Sequence, residues 1–143
     1  MIKLSQTSIL FFVLMIIVLS CSAGSGMTTV TDINADQLLE LQQQGAIVID
    51  VRTPEEWDET GVIPGAKKAM FFNQQMQPVE DEFLKEINKI TNNSDKPVVL
   101  YCRSGGRSGK AARLLAEKKT LKSIYNLDGG IKQWLSEDRD TEK

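Results

Sequence analysis

Apolar and polar residues follow a repeating order along this chain: a short apolar run, a polar stretch, then apolar residues at helical spacing. Ala46-Ile-Val-Ile-Asp50, Val98-Val-Leu-Tyr101 and Ser123-Ile-Tyr-Asn-Leu127 are the short runs, and near-continuous apolar runs of this length predict strands buried on both faces. Ala66 to Met70 adds a shorter strand. Asn34-Ala-Asp-Gln37 is a capping pair that opens a helix through Leu38, Leu39 and Leu41, and Gly45 closes it. Thr53-Pro-Glu-Glu56 opens another, with Thr53 as N-cap, Pro54 in the first turn and Glu56 three residues on. Gly61 to Gly65 reads as a turn. Pro78 is expected to start a helix with Phe83, Leu84, Ile87 and Ile90 on one face. Thr91 to Lys96 is a polar loop. Ala111, Leu114 and Leu115 mark a helix after the second strong strand, with Lys118 and Lys119 near its end. Asp128-Gly-Gly130 turns into a last helix carrying Ile131, Trp134 and Leu135. Trp57 and Trp134 read as core, and Ser136 to Lys143 as a charged, frayed tail. Strands that alternate with helices predict one α/β domain over residues 30–138, with a mainly parallel central sheet and helices on both faces.

Composition narrows what this domain can do. A chain of 143 residues has room for one adequate core, and 41% hydrophobic with 25% charged residues is ordinary for a globular protein. The formal charge of −2 points away from nucleic acid and from anionic membrane surfaces as partners. There is no histidine, which removes Ser-His-Asp and Cys-His catalysis and most zinc constellations. The two cysteines, Cys21 and Cys102, offer no metal cluster and no disulfide framework.

The first segment reads as an address. Lys3 is the sole charge before residue 32, and Ile9 to Leu19 is an unbroken apolar run of roughly half the length that spans a bilayer. A basic start, a short apolar centre and small residues after it describe a signal peptide over residues 1–20. Val18-Leu-Ser-Cys21 resembles the lipobox of bacterial lipoproteins, with Cys21 as the lipidated mature N-terminus and residues up to 29 as a flexible tether. An ordinary cleaved signal, or an uncleaved anchor with an incidental cysteine, is the competing reading. The lipoprotein reading places the domain in a bacterial cell envelope, anchored on the periplasmic side of a membrane. Cys102 is then the one free thiol in an oxidising compartment, where it needs chemistry to justify it.

Cys102 opens Cys-Arg-Ser-Gly-Gly-Arg-Ser108 between a strand end and a helix start. The N–H groups of such a loop and the first helical turn stabilise an anion. That anion is the cysteine's own thiolate, an oxyanion of a substrate, or both. A thiol so placed has a lowered pKa and is nucleophilic at neutral pH. Gly105 and Gly106 let the backbone curl so that its amides converge. Arg103 and Arg107 are either anion ligands or, in one case, a solvated surface charge. Ser108 is of N-cap residue type. Asp50 and Arg52, at the end of the preceding predicted strand, either tune the field at this loop or tie their own turn together, and the second reading is favoured.

Four motifs, in order, resemble the rhodanese family of sulfurtransferases: Asp50-Val-Arg-Thr-Pro-Glu-Glu-Trp57, Gly61-Val-Ile-Pro-Gly-Ala66, the loop Cys102 to Ser108, and Asp128-Gly-Gly-Ile-Lys-Gln-Trp134. They cover residues 30 to 136. Val62 stands where the family usually has histidine, a change read as local packing or turn chemistry. The resemblance implies a rhodanese-like domain in which Cys102 attacks the outer sulfur of a small anionic donor such as thiosulfate and becomes a persulfide. The sulfur then passes to cyanide or a thiol. Ser104, Gly105, Gly106 and Ser108 with Arg103 and Arg107 would form the substrate loop, with no cofactor and no metal.

Two other readings compete. Cysteine phosphatases and arsenate reductases share the general architecture, but a phosphatase loop places five residues between Cys and Arg. Here four separate Cys102 from Arg107, and arsenate reduction wants further thiols. A membrane-tethered module that senses redox state or carries persulfide for another protein is the second alternative. Oligomeric state is not legible in the residues.

Overall fold

The computed structural model describes residues 28–143. The signal peptide, Cys21 and most of the tether lie outside the described residues. Among those residues no helix is long and apolar enough to cross a membrane.

Five strands and five helices follow in order: β1 Val30–Ile33, α1 Ala35–Gln43, β2 Ile47–Asp50, α2 Pro54–Thr60, β3 Lys67–Lys68, α3 Glu80–Thr91, β4 Val98–Tyr101, α4 Gly106–Glu117, β5 Ile124–Leu127 and α5 Gly130–Ser136. The strands form one sheet in the order β1-β5-β4-β2-β3, parallel throughout. This is the expected α/β fold. β4 sits at the centre, all four of its residues buried. Its pleat feeds two cores. Val98, Leu100 and Cys102 pack with Phe83, Ile87, Ala111 and Leu115 on the α3/α4 face. Val99 and Tyr101 pack with Leu38, Ile131 and Trp134 on the α1/α5 face. Side chains alternating across a strand put Cys102 and Tyr101 on opposite faces.

The caps form where their residue types predict. Asn34 Oδ1 accepts from Gln37 N at 2.9 Å, and Asn34 N donates to Gln37 Oε1 at 3.0 Å. Glu56 Oε2 accepts from Thr53 N at 3.2 Å.

Other elements differ from expectation for identifiable reasons. β1 carries no apolar run, since Thr31 and Asp32 are exposed at the sheet edge, so periodicity gives no signal there. Pro78 does not start α3: it pairs with Phe72, Val79 N donates to Phe71 O at 2.9 Å, and only then does the helix begin. Its first turn holds Glu80, Asp81 and Glu82, which favour a helix N-terminus. Leu135 is exposed, whereas Ile131 and Trp134 are buried. Trp57 is only half-buried, and its indole N–H has no partner among the described residues.

The C-terminal segment is not frayed. Val62 N donates to Glu142 O at 2.8 Å and Glu142 N to Val62 O at 2.9 Å. Thr141 Oγ1 donates to Thr60 O at 2.9 Å, and Arg139 joins Asp36 to Glu137. Docking of this kind rests on backbone pairing and charge, to which a hydrophobic pattern is blind. Val62 is buried, so it serves as core through its side chain and as an anchor for the terminus through its backbone.

Candidate active site

β4 ends at Tyr101, and the chain turns at once into the loop that opens α4. Gly105 lies at φ +94°, in the left-handed region, and a Cβ there would meet Leu127 O at 3.2 Å. Only glycine takes that combination at little cost. The turn aims its amide inward: Gly105 N donates to Cys102 Sγ at 3.2 Å. Ser108 Oγ lies 3.4 Å from the same sulfur. Burial pushes the thiol up. The Ser108 hydroxyl, where a thiolate draws it to itself, and the Ser108, Ser104 and Gly105 amides outweigh it and hold the thiol below its ordinary value.

A pH dependence follows. Alkylation of Cys102 by iodoacetamide is expected to titrate with a midpoint below the ordinary thiol value of about 8.5. Between the folded and the unfolded value the folded chain binds fewer protons. This group's contribution to stability therefore grows as pH rises through that window, and is lost as pH falls through the folded value. Alkylation rates and chemical-denaturation midpoints from pH 5 to 9 measure both.

The remaining predicted residues take distinct places. Ser108 is not the N-cap. Gly105 is, and Ser108 lies in the first turn, fully buried, with its hydroxyl against the sulfur. Arg107 forms a bidentate pair with Glu56, Nη1 to Oε2 at 2.7 Å and Nη2 to Oε1 at 2.6 Å. The Glu56 hydrogen bonds raise its already high pKa further against the opposing effect of burial, and the Cys102 charge acts in the same direction. Arg103 is exposed and makes no ion pair among the described residues. Ser104 and Gly106 are exposed on the same loop. A cleft of about 900 Å³ opens over them, lined among others by Glu56, Phe72, Met76, Arg103 and Lys110.

Asp50 and Arg52 are almost wholly buried and form one unit. Arg52 Nη2 donates to Asp50 Oδ2 at 2.7 Å and to Gly61 O at 2.8 Å, and Nη1 donates to Thr60 Oγ1 at 2.8 Å. The guanidinium ties the end of β2 to the C-terminal end of α2. It lies 5.9 Å from the centre of the Tyr101 ring, whose hydroxyl accepts from Ile63 N at 2.9 Å. Burial, then Asp50, pushes the Tyr101 hydroxyl far up, so it stays protonated. The pair thus orders the residue before Cys102 without touching the sulfur.

Sequence reasoning missed three contributors. Glu56 reads as a capping residue, and its capping geometry hides its second task of holding Arg107. Asn126 sits in an apolar strand and reaches Ser108 Oγ at 2.6 Å. Gly130, at φ +55°, lets α5 close onto the loop. Ile131 N donates to Cys102 O at 2.9 Å and Lys132 N to Arg103 O at 3.0 Å, while a Cβ at Gly130 would overlap Arg103 C at 2.6 Å. The Asp128-Gly-Gly130 motif is the available signal, and its reason is this close approach.

The fold and site define a class: a parallel α/β domain that holds a buried cysteine, with its sulfur hydrogen-bonded by a loop amide, in a strand–helix loop. Residues 34–137 match the model of the rhodanese-like domain, and the chain belongs to that family. It is 40% identical over 89 residues to the uncharacterized protein YqhL of Bacillus subtilis, covering 62% of this chain and 60% of that one. The thiosulfate sulfurtransferase GlpE of Pseudomonas syringae is 31% identical over 108 residues, 76% of this chain and 90% of that one. A rhodanese-related protein of Thermoplasma volcanium superposes with a TM-score of 0.56 at 28% identity, covering 77% of this chain and 95% of that one.

Proposed function

We propose that this domain moves a sulfane sulfur from a small anionic donor of the thiosulfate type to a thiophilic acceptor through a persulfide on Cys102. The observation that carries the reading is the sulfur itself, held by the Gly105 amide and set beside the Ser108 hydroxyl, under a loop whose Arg103, Ser104, Gly106 and Arg107 line an open cleft. The likeness to a thiosulfate sulfurtransferase along nine-tenths of that protein supports it. In the first step the Cys102 thiolate attacks the outer sulfur of thiosulfate. A new S–S bond forms, the old one breaks, and sulfite departs with its electron pair. In the second step the acceptor, cyanide or a thiolate, attacks the terminal sulfur and Cys102 leaves as thiolate. No proton has to move in the first step, so the absence of histidine is no obstacle. The amides that hold the thiolate also suit the anionic persulfide.

This scheme is covalent and ping-pong. Double-reciprocal plots of thiocyanate formation against thiosulfate, at several cyanide concentrations, are expected to be parallel; intersecting lines would reject the persulfide route. Arg103, exposed on the loop, lining the cleft and without an ion pair among the described residues, is the cation for the donor's sulfonate end. Arg103→Ala is expected to raise the KM for thiosulfate about three- to tenfold with kcat nearly unchanged, the signature of a lost charge-assisted contact made equally in ground and transition states.

We also propose that the domain is carried on a lipid anchor at Cys21, on the periplasmic side of a bacterial membrane. The basic start, the apolar run and Val18-Leu-Ser-Cys21 support it. Metabolic labelling with a fatty acid should mark the wild-type chain and not Cys21→Ser, and label on both would overturn the assignment.

A further inference from the structure

The Ser108 hydroxyl has one proton and three acceptors around it: Asn126 Oδ1 at 2.6 Å, Gly105 O at 3.1 Å and Cys102 Sγ at 3.4 Å. Gly105 O already accepts from Gly109 N at 2.9 Å and lies farther from the hydroxyl than Asn126 Oδ1 does, so Asn126 has the strongest claim on the proton. The contest that bears on Cys102 is between Asn126 and the sulfur. Which way the Asn126 amide points is settled on its far side. Its Nδ2 lies 2.8 Å from Asp32 Oδ1, and an ionised carboxylate accepts and does not donate. The amide nitrogen must face Asp32, so the carbonyl oxygen must face Ser108, and an oxygen facing a hydroxyl at that distance takes its proton. Asn126 is 6% exposed and Ser108 fully buried, so an amide oxygen that lost this donor would be left without a partner in a dry setting.

We infer that Asn126, oriented by Asp32, is a positioning residue that withholds the Ser108 proton from Cys102 and so sets the reactivity of the thiol. This rests on the nucleophilic role proposed for Cys102. With the proton on the Asn126 side, Ser108 offers the sulfur only a lone pair, which suits a neutral S–H. A thiolate gains the Ser108 hydrogen bond only when it draws the hydroxyl away from Asn126. The amide contacts to sulfur are fixed by the loop; the hydroxyl contact is conditional. The chain Asp32–Asn126–Ser108–Cys102 runs from the exposed edge strand β1 through β5 into α4. The charged groups about the loop also include Arg103 on the loop itself, Arg107 with Glu56 from α4 and α2, Lys110 and Arg113 on α4 (Arg113 packs at Gly109 beside the Asn126 amide), the Asp50–Arg52 pair at the end of β2, Asp128 in the turn after β5 and Lys132 on α5, and all stay in place in the variants below.

The test is the pH profile of iodoacetamide alkylation at Cys102 in the full chain, read on the Cys102 peptide, with no sulfur donor present. Asn126→Leu removes the competitor and frees the Ser108 proton for the thiolate. The midpoint is expected to fall by about one pH unit; below the midpoint this gives about tenfold more thiolate and, since a less basic thiolate is less nucleophilic, alkylation about three- to fourfold faster. In a Ser108→Ala background the same substitution is expected to leave the midpoint where it was. Where Asn126→Leu fails to give a cooperative thermal transition, Asp32→Asn takes its place: it leaves Asn126 present but free to flip, so the midpoint falls again with Ser108 and moves less in Ser108→Ala, which isolates the effect of removing a charge. A midpoint that rises or stays put in the folded Asn126 or Asp32 variant overturns the inference, as does an equal fall with and without the Ser108 hydroxyl. Failure of sulfur transfer would show in the thiocyanate assay, and leaves this profile readable.

Discussion

Cys102→Ser is expected to lower sulfur transfer by at least about a thousandfold while leaving the fold intact. The sulfur does two things that oxygen cannot do here. Its pKa lies below the ordinary thiol value, because the loop hydrogen bonds overcome the effect of burial, whereas a serine hydroxyl in the same place stays protonated. It also forms and releases an S–S bond without a general base, and the chain contains no histidine to serve as one. The side chain is nearly isosteric and 1% exposed, so the thermal midpoint should move by only a few degrees. Thiocyanate formation and a thermal melt on the same sample check both halves. Retained turnover in the Ser variant would remove Cys102 from the chemistry.

Arg52→Ala is expected to produce the largest loss of stability, about 3–5 kcal/mol, which lowers Tm by roughly 10–20 °C for a domain of this size. The reason is asymmetric. Asp50 is 0% exposed and receives three hydrogen bonds from the guanidinium at 2.7 to 3.0 Å, so deleting the Arg52 side chain strips all three from a buried carboxylate and leaves it the backbone amide of residue 52. Thr60 Oγ1 and Gly61 O each lose a hydrogen bond in the same step and keep the one between them at 3.0 Å. Removing both charges should cost less than removing one. Asp50→Asn combined with Arg52→Met is expected to recover part of the stability. Denaturant melts of the two variants decide the matter, and an Arg52→Ala protein within 1 kcal/mol of wild type would mean the pair contributes no more than an exposed one.

The residues show which parts of this molecule sequence can reveal. The three buried strands are legible, since near-continuous apolar runs such as Val98 to Tyr101 mark strands covered on both faces. The caps at Asn34 and Thr53 are legible because they act within three residues of chain. Cys102 is legible from its loop: glycines, arginines and serines after an apolar run have few other uses. What escapes is whatever depends on a partner far along the chain. β1 has no pattern of its own and exists because β5 pairs with it. The terminal residues look like a loose charged tail, yet Glu142 pairs with Val62, eighty positions earlier in the chain. Ser108 looks like a cap, because its neighbours Cys102 and Asn126 come from two other segments. Arg103 and Arg107 are indistinguishable as residue types, and only Glu56, on another helix, separates the free cation from the paired one.

Intact mass of the full chain bearing Cys21→Ser, so that Cys102 is its sole thiol, tests the central claim most directly. The protein is incubated with thiosulfate, freed of excess donor and weighed, then weighed again after cyanide. The persulfide route predicts a gain of one sulfur atom that cyanide removes in equal amount as thiocyanate, and no gain in the Cys102→Ser chain. A reduced, alkylatable Cys102 that takes up no sulfur from thiosulfate, or an adduct that cyanide fails to discharge, would contradict it.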